Sequence, residues 1–179
     1  MQYFINLLTV SRIFFAALIF IFLTTPDKYY LALIFFFLTG ISDYFDGYLA
    51  RKYNLTSELG EVLDPFADKI LIVFVLIALS ALFSSFYIGF LSSIIISREI
   101  GVAVLRDLNA RKNNLSATKV TFLAKIKTTI QFAAIFTYLT GLAYNLSLVI
   151  VLADIVLFLA TIVTLYTGYE YTLNSYKRN

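Results

Sequence analysis

No cysteine and no histidine occur in the 179 residues, and proline occurs only twice. The missing cysteine excludes disulfides and thiol chemistry, the missing histidine excludes imidazole catalysis, and together they exclude the usual zinc sites with Cys or His ligands. Any catalytic machinery must therefore come from Asp, Glu, Lys, Arg, Ser, Thr, Tyr or Asn. Charge is also scarce: 14% of residues are charged against 60% hydrophobic, and the mean hydropathy is +0.85. That is too apolar for a soluble domain of this length, so the chain reads as an integral membrane protein. The net charge of +3 is small and its cations are spread among apolar segments. A nucleic-acid partner is thereby unsupported, and an anionic lipid surface or anionic substrate fits better.

A hydrocarbon core of about 30 Å asks for roughly 20 apolar residues per helix. Six segments answer to this, near 5–24, 29–50, 61–83, 86–107, 121–143 and 147–173. The expected fold is all-α, a single domain over 1–179 with six transmembrane helices. The first apolar run starts almost at Met1 without a basic leader or a small-residue cleavage site, so the first helix is expected to be retained. Cations concentrate in the second loop (Arg51, Lys52), the fourth (Arg106, Arg111, Lys112, Lys119) and the C-terminus (Lys177, Arg178), whereas the first loop has Lys28 alone and the third and fifth have none. By the positive-inside rule, the N- and C-termini and the even-numbered loops face the cytoplasm. No internal repeat is visible. Tyr166 to Tyr176 read as an interfacial aromatic anchor, and Asp154 sits in the last apolar segment with no evident partner.

Against this background the stretch SDYFDGYLARKYNLTSELGEVLDPFADK, residues 42–69, concentrates four aspartates. Asp43, Asp46, Gly47 and Ala50 fall on one helical face, and Asp64 and Asp68, four apart, share a face of the next helix. A short loop joins the two faces, so the pairs can meet. Four uncompensated carboxylates there would repel and be costly to desolvate. One or two divalent cations would remove the objection, and oxygen-only ligands suit Mg²⁺, Mn²⁺ or Ca²⁺. The plainer alternative makes them solvated helix-end charges or partners of Arg51, Lys52 and Lys69. Gly47 allows close approach of a ligand or of another helix. Pro65 falls near the start of the third helix, where a missing N–H costs little.

Asp43-x-x-Asp46-Gly47-x-x-Ala50-Arg51, eight residues, then Gly60-x-x-x-Asp64-x-x-x-Asp68 resembles the full signature of the CDP-alcohol phosphotransferase family. Those membrane enzymes displace CMP from a CDP-linked lipid or alcohol with an acceptor hydroxyl. The resemblance implies a two-metal site, Mg²⁺ or Mn²⁺, held by Asp43, Asp46, Asp64 and Asp68. It further implies Asp68 as general base and Gly47, Arg51 and Gly60 at the CDP moiety together with Asp43 and Asp46. A homodimer in the cytoplasmic (inner) membrane, with its active site facing the cytoplasm, is implied as well.

Further stretches resemble the branch that makes phosphatidylglycerol phosphate: NLLTVSR at 6–12, with Asn6, Thr9 and Arg12 framing the nucleotide or the helix entry, SREIGVAVLR at 97–106, and AKIKTTIQ at 124–131. Arg98 and Glu99 stand mid-segment, and Lys125 and Lys127 open the fifth segment. Cations so placed either pair with carboxylates and snorkel to headgroups or line a wet cavity. On the second reading Arg98, Arg106, Lys125 and Lys127 bind an acceptor phosphate. The expected reaction moves the phosphatidyl group of CDP-diacylglycerol to sn-glycerol 3-phosphate and releases CMP. Alternatives are another acceptor (inositol phosphate, serine or phosphatidylglycerol) or a cation transporter, against which the absence of a repeat speaks.

Overall fold

A computed structural model describes residues 2–53, 58–111 and 122–176, and the side chains of 9–43, 45, 66–111 and 122–175. Six helices follow one another: α1 (Gln2–Thr24), α2 (Tyr29–Tyr53), α3 (Glu58–Phe83), α4 (Phe86–Arg111), α5 (Phe122–Ala143) and α6 (Ser147–Tyr176). Among the described residues there is no strand. Among the described residues, three stretches are long and apolar enough to cross a membrane, Phe66–Phe83, Phe86–Arg111 and Ser147–Ser175, and shorter apolar helical stretches cover Thr9–Thr24 and Tyr29–Asp43. The chain is an all-α integral membrane protein. Helix α3 begins three residues earlier than the apolar run suggests, because Glu58-Leu59-Gly60 adds a polar turn. Pro65 thus lies well inside the helix, where it cannot supply the N–H that the Glu61 carbonyl would otherwise accept.

Three tight turns, 25–28, 84–85 and 144–146, close the α1–α2, α3–α4 and α5–α6 pairs at one end of the bundle. Each uses a left-handed residue that is not glycine: Asp27, Ser84 and Asn145, at φ of 59°, 47° and 53°. At the α5 end, Leu146 N–H donates to Gly141 O (2.8 Å) and Asn145 N–H to Leu142 O (3.4 Å), a Schellman cap with Asn at the left-handed position. Around the bundle the packed neighbours run α1, α2, α5, α6, α4, α3 and back to α1, with α3 also touching α5 across the interior.

Small and branched residues at helical spacing fill the centre: Ala16, Ile19 and Leu23 of α1, Leu71, Val75 and Leu79 of α3, Ile135, Tyr138 and Leu142 of α5. Large apolar side chains also point outward, with Phe86 at 85% and Leu148 at 86% exposure. A soluble fold would not leave so many there, but lipid is as apolar as leucine and takes them without penalty. For the same reason apolar burial discriminates weakly between helix pairings in a bilayer, and packing and interhelical hydrogen bonds, each about 0.6 kcal/mol and up to ~2 kcal/mol, carry more of the task. Such bonds are present: Gln131 Nε2 donates to Thr164 Oγ1 (2.9 Å) and Asn109 Nδ2 to Ser175 Oγ (2.8 Å). Asp154 also finds its partners, its Oδ1 accepting from the buried Tyr138 hydroxyl (2.5 Å) and its backbone carbonyl from Tyr87 (3.1 Å).

Candidate active site

The antiparallel run of helices brings the first half of α1, the C-terminal part of α2 and α4, the N-terminal part of α3 and α5, and the end of α6 to the pole opposite the tight turns. The charged side chains singled out in the sequence that fall among the described residues lie there, apart from Lys28 and Asp154. Arg12, on α1 one turn after the buried Thr9, is 1% exposed, and its Nη1 donates to Asp43 Oδ1 of α2 at 2.5 Å and to Asp68 Oδ1 of α3 at 2.8 Å. One guanidinium nitrogen thus gathers carboxylates from two other helices. Both remain about half exposed, 56% and 43%. Asp43 and Asp68 therefore pair with Arg12; Lys69, considered as their partner from the sequence, carries no ion pair among the described residues. Asp46, Gly47 and Arg51 lie on α2, Gly60 and Asp64 on α3, and Asn6 on α1, in unbroken helix that keeps the signature spacings on shared faces. The side chains of these residues and of Lys52 lie outside the described ones.

Converging half-exposed carboxylates are an oxygen donor set suited to a hard divalent cation. Among the described residues no three acidic side chains group together, since two of the four aspartates fall outside them.

Beside Asp68 opens a cavity of about 190 Å³, lined by Asp68 and Lys69 of α3, Arg98, Glu99 and Arg106 of α4, Lys127 and Thr128 of α5, and Tyr171 of α6. Its chemistry is cationic: four basic against two acidic side chains. Glu99, buried, holds two of the cations, accepting from Arg98 Nη1 at 3.1 Å and from the Lys127 ammonium of the neighbouring helix. Arg98 Nη2 donates to Thr167 Oγ1 at 2.8 Å, and the guanidinium stands 5.9 Å from the Tyr171 ring centre. Three of the four acceptor-site cations expected from the sequence, Arg98, Arg106 and Lys127, thus meet in one cavity. Lys125 is exposed and lies outside its lining, because it is two residues, about 200°, from Lys127 on the same helix. Lys69 is an addition that sequence reasoning missed as an acceptor-site residue; its place directly after Asp68 was the available signal.

Residues 3–167 match the family model for CDP-alcohol phosphatidyltransferase. The chain belongs to this family. Similar curated proteins are the CDP-diacylglycerol–glycerol-3-phosphate 3-phosphatidyltransferases of Wigglesworthia glossinidia brevipalpis, 40% identical over 133 residues (73% of this chain, 70% of that one), and of Blochmanniella floridana, 38% over 137 residues (75% and 70%). The Escherichia coli K12 protein of the same name is 32% identical over 132 residues (73% and 70%). The carboxylates gathered by Arg12 and the cationic cavity adjoin one another at the charged pole. Asp68 borders both.

Proposed function

We propose that the protein transfers the phosphatidyl group of CDP-diacylglycerol to sn-glycerol 3-phosphate, giving phosphatidylglycerol phosphate and CMP. The observation that carries this reading is that Asp68 both pairs with Arg12 beside Asp43 and lines a small cavity with two surplus positive charges. A phosphomonoester dianion matches that surplus; serine and phosphatidylglycerol do not need it. The names of the relatives support the same acceptor.

The family is generally divalent-cation dependent. Asp43, Asp46, Asp64 and Asp68 would hold Mg²⁺ or Mn²⁺, which would neutralise pyrophosphate oxygens and the charge that builds on departing CMP. Asn6, Thr9, Gly47, Arg51 and Gly60 frame the CDP moiety. Arg98, Arg106 and Lys127 hold the acceptor phosphate, with Lys125 at the approach. Asp68 takes the proton of the acceptor hydroxyl, whose oxygen bonds to the lipid-attached β-phosphorus as the bond from that phosphorus to the bridging oxygen breaks. Direct displacement inverts configuration at phosphorus, and net retention with a phosphorus-chiral substrate would overturn it.

In the same reading 1–179 forms one domain, all six helices span the cytoplasmic membrane, both termini and the aspartate pole face the cytoplasm, and the protein works as a homodimer. The deciding experiment measures labelled CMP released from CDP-diacylglycerol by purified protein with Mg²⁺ or Mn²⁺. Glycerol 3-phosphate is compared with inositol phosphate, serine and phosphatidylglycerol. Turnover with another acceptor alone would replace the substrate assignment while keeping the family.

A further inference from the structure

Arg98 is held in an unusual way for a cation on a membrane-spanning helix. Its guanidinium is fastened at both ends, Nη1 to Glu99 on its own helix and Nη2 to Thr167 on α6, while its buried Nε finds no partner among the described residues. The stem between these ends runs across Gly168 of α6. A Cβ added at Gly168 would stand 3.0 Å from Arg98 Cγ, 3.2 Å from Nε and 3.7 Å from Cδ. The first two are tighter than van der Waals contact, and the stem cannot yield freely because both of its anchors would have to stretch. Arg98 lines the inner cavity, and Arg98 and Gly168 together line a groove of about 630 Å³ between α4 and α6. The bare glycine surface is what lets the side chain pass between the two spaces. Gly168 stands one residue beyond the 3–167 stretch that matches the family.

We infer that Gly168 is a positioning residue for the acceptor site: by lacking a side chain it seats the Arg98 stem, with its buried Nε, against α6, and so fixes where the guanidinium borders the cavity that takes the acceptor phosphate. This rests on the assignment of the cavity to glycerol 3-phosphate. Thr167 and Tyr171, one residue before and three after, complete the cradle, so α6 governs acceptor affinity from outside the aspartate signature.

The test uses the full chain purified in detergent, as wild type, Gly168→Ala, Arg98→Ala and the double variant. It measures glycerol 3-phosphate binding by calorimetry and the KM of each substrate. Gly168→Ala is expected to weaken glycerol 3-phosphate binding and raise its KM about tenfold, a loss of the size of one charge-assisted hydrogen bond, with the KM for CDP-diacylglycerol and the kcat at saturating acceptor unchanged. The double variant should bind no more weakly than Arg98→Ala, because the glycine acts only through the arginine. Wild-type affinity in Gly168→Ala, or additive losses in the double variant, would overturn the inference. Should Gly168→Ala fail to fold, Thr167→Val releases the same guanidinium without added bulk and must raise the glycerol 3-phosphate KM alone. Wild-type binding of glycerol 3-phosphate without turnover would refute the proposed reaction and leave the cradle standing; absence of binding would overturn both.

Discussion

Arg12 and Glu99 show how single buried residues organise this site. Each gathers opposite charges from other helices: Arg12 two carboxylates, Glu99 the Lys127 ammonium of α5 in addition to its neighbour Arg98. A buried ion whose partner is removed keeps its desolvation penalty, so Glu99→Gln is expected to destabilise by about 3–5 kcal/mol. Thermal unfolding in detergent would register this, and an unchanged midpoint would show that the two cations find other acceptors. Asp68→Asn keeps shape and removes proton affinity. It should lower CMP release at least ~10²-fold, the scale of general-base catalysis, with the helical circular dichroism unchanged. An active, folded Asp68→Asn protein would move the base elsewhere. The sequence marked Asp68 by its spacing, yet it could not show that Arg12 lies against it, since 56 residues separate them.

Helices α5 and α6 depend on the Schellman turn between them. Asn145 tolerates its positive φ because its short polar side chain suits the left-handed region, where a β-branched side chain clashes. Asn145→Val should therefore cost about 1–2 kcal/mol, whereas Asn145→Gly should be neutral or stabilising. Equal unfolding midpoints for the two variants would show that the cap does not constrain the hairpin. Gly141, which accepts the outer bond of this cap, lies so close to α6 that an added Cβ would meet Ile150 Cγ1 at 2.8 Å and Ile150 N at 3.2 Å. The register of α5 against α6 follows from that approach, and it carries the Gln131–Thr164 bond about three turns away along α5 and about four along α6. Helix ends at the tight turns were legible from apolar runs and turn residues because those signals are local. At the charged pole α1, α2, α3, α4 and α6 each extend three or four residues beyond the apolar segments, and these extensions were not legible, because their polar residues read as loop by composition.

The whole molecule has two dissimilar poles, tight turns at one and charge at the other, and the proposed orientation puts the charged pole in the cytoplasm. Because the chain has no cysteine, single substitutions report without background. Ser84→Cys, in an exposed tight turn, is expected to react with a membrane-impermeant maleimide in intact cells, and Ala110→Cys, exposed at the charged end of α4, only after permeabilisation. The reverse pattern would invert the topology and separate the site from cytosolic acceptor. By itself the sequence determined the membrane class, the six helices and the aspartate spacing, because each is written in composition or in periodicity within a single helix. Tertiary structure alone decided that Arg12 joins Asp43 to Asp68, that Glu99 commits Arg98 and Lys127, that Lys69 enters the acceptor cavity while Lys125 stays out, and that Asp154 has partners. These pairings depend on the order of helices around the bundle. In a bilayer that order follows from close packing and polar bonds between distant residues, which no local hydrophobic pattern encodes.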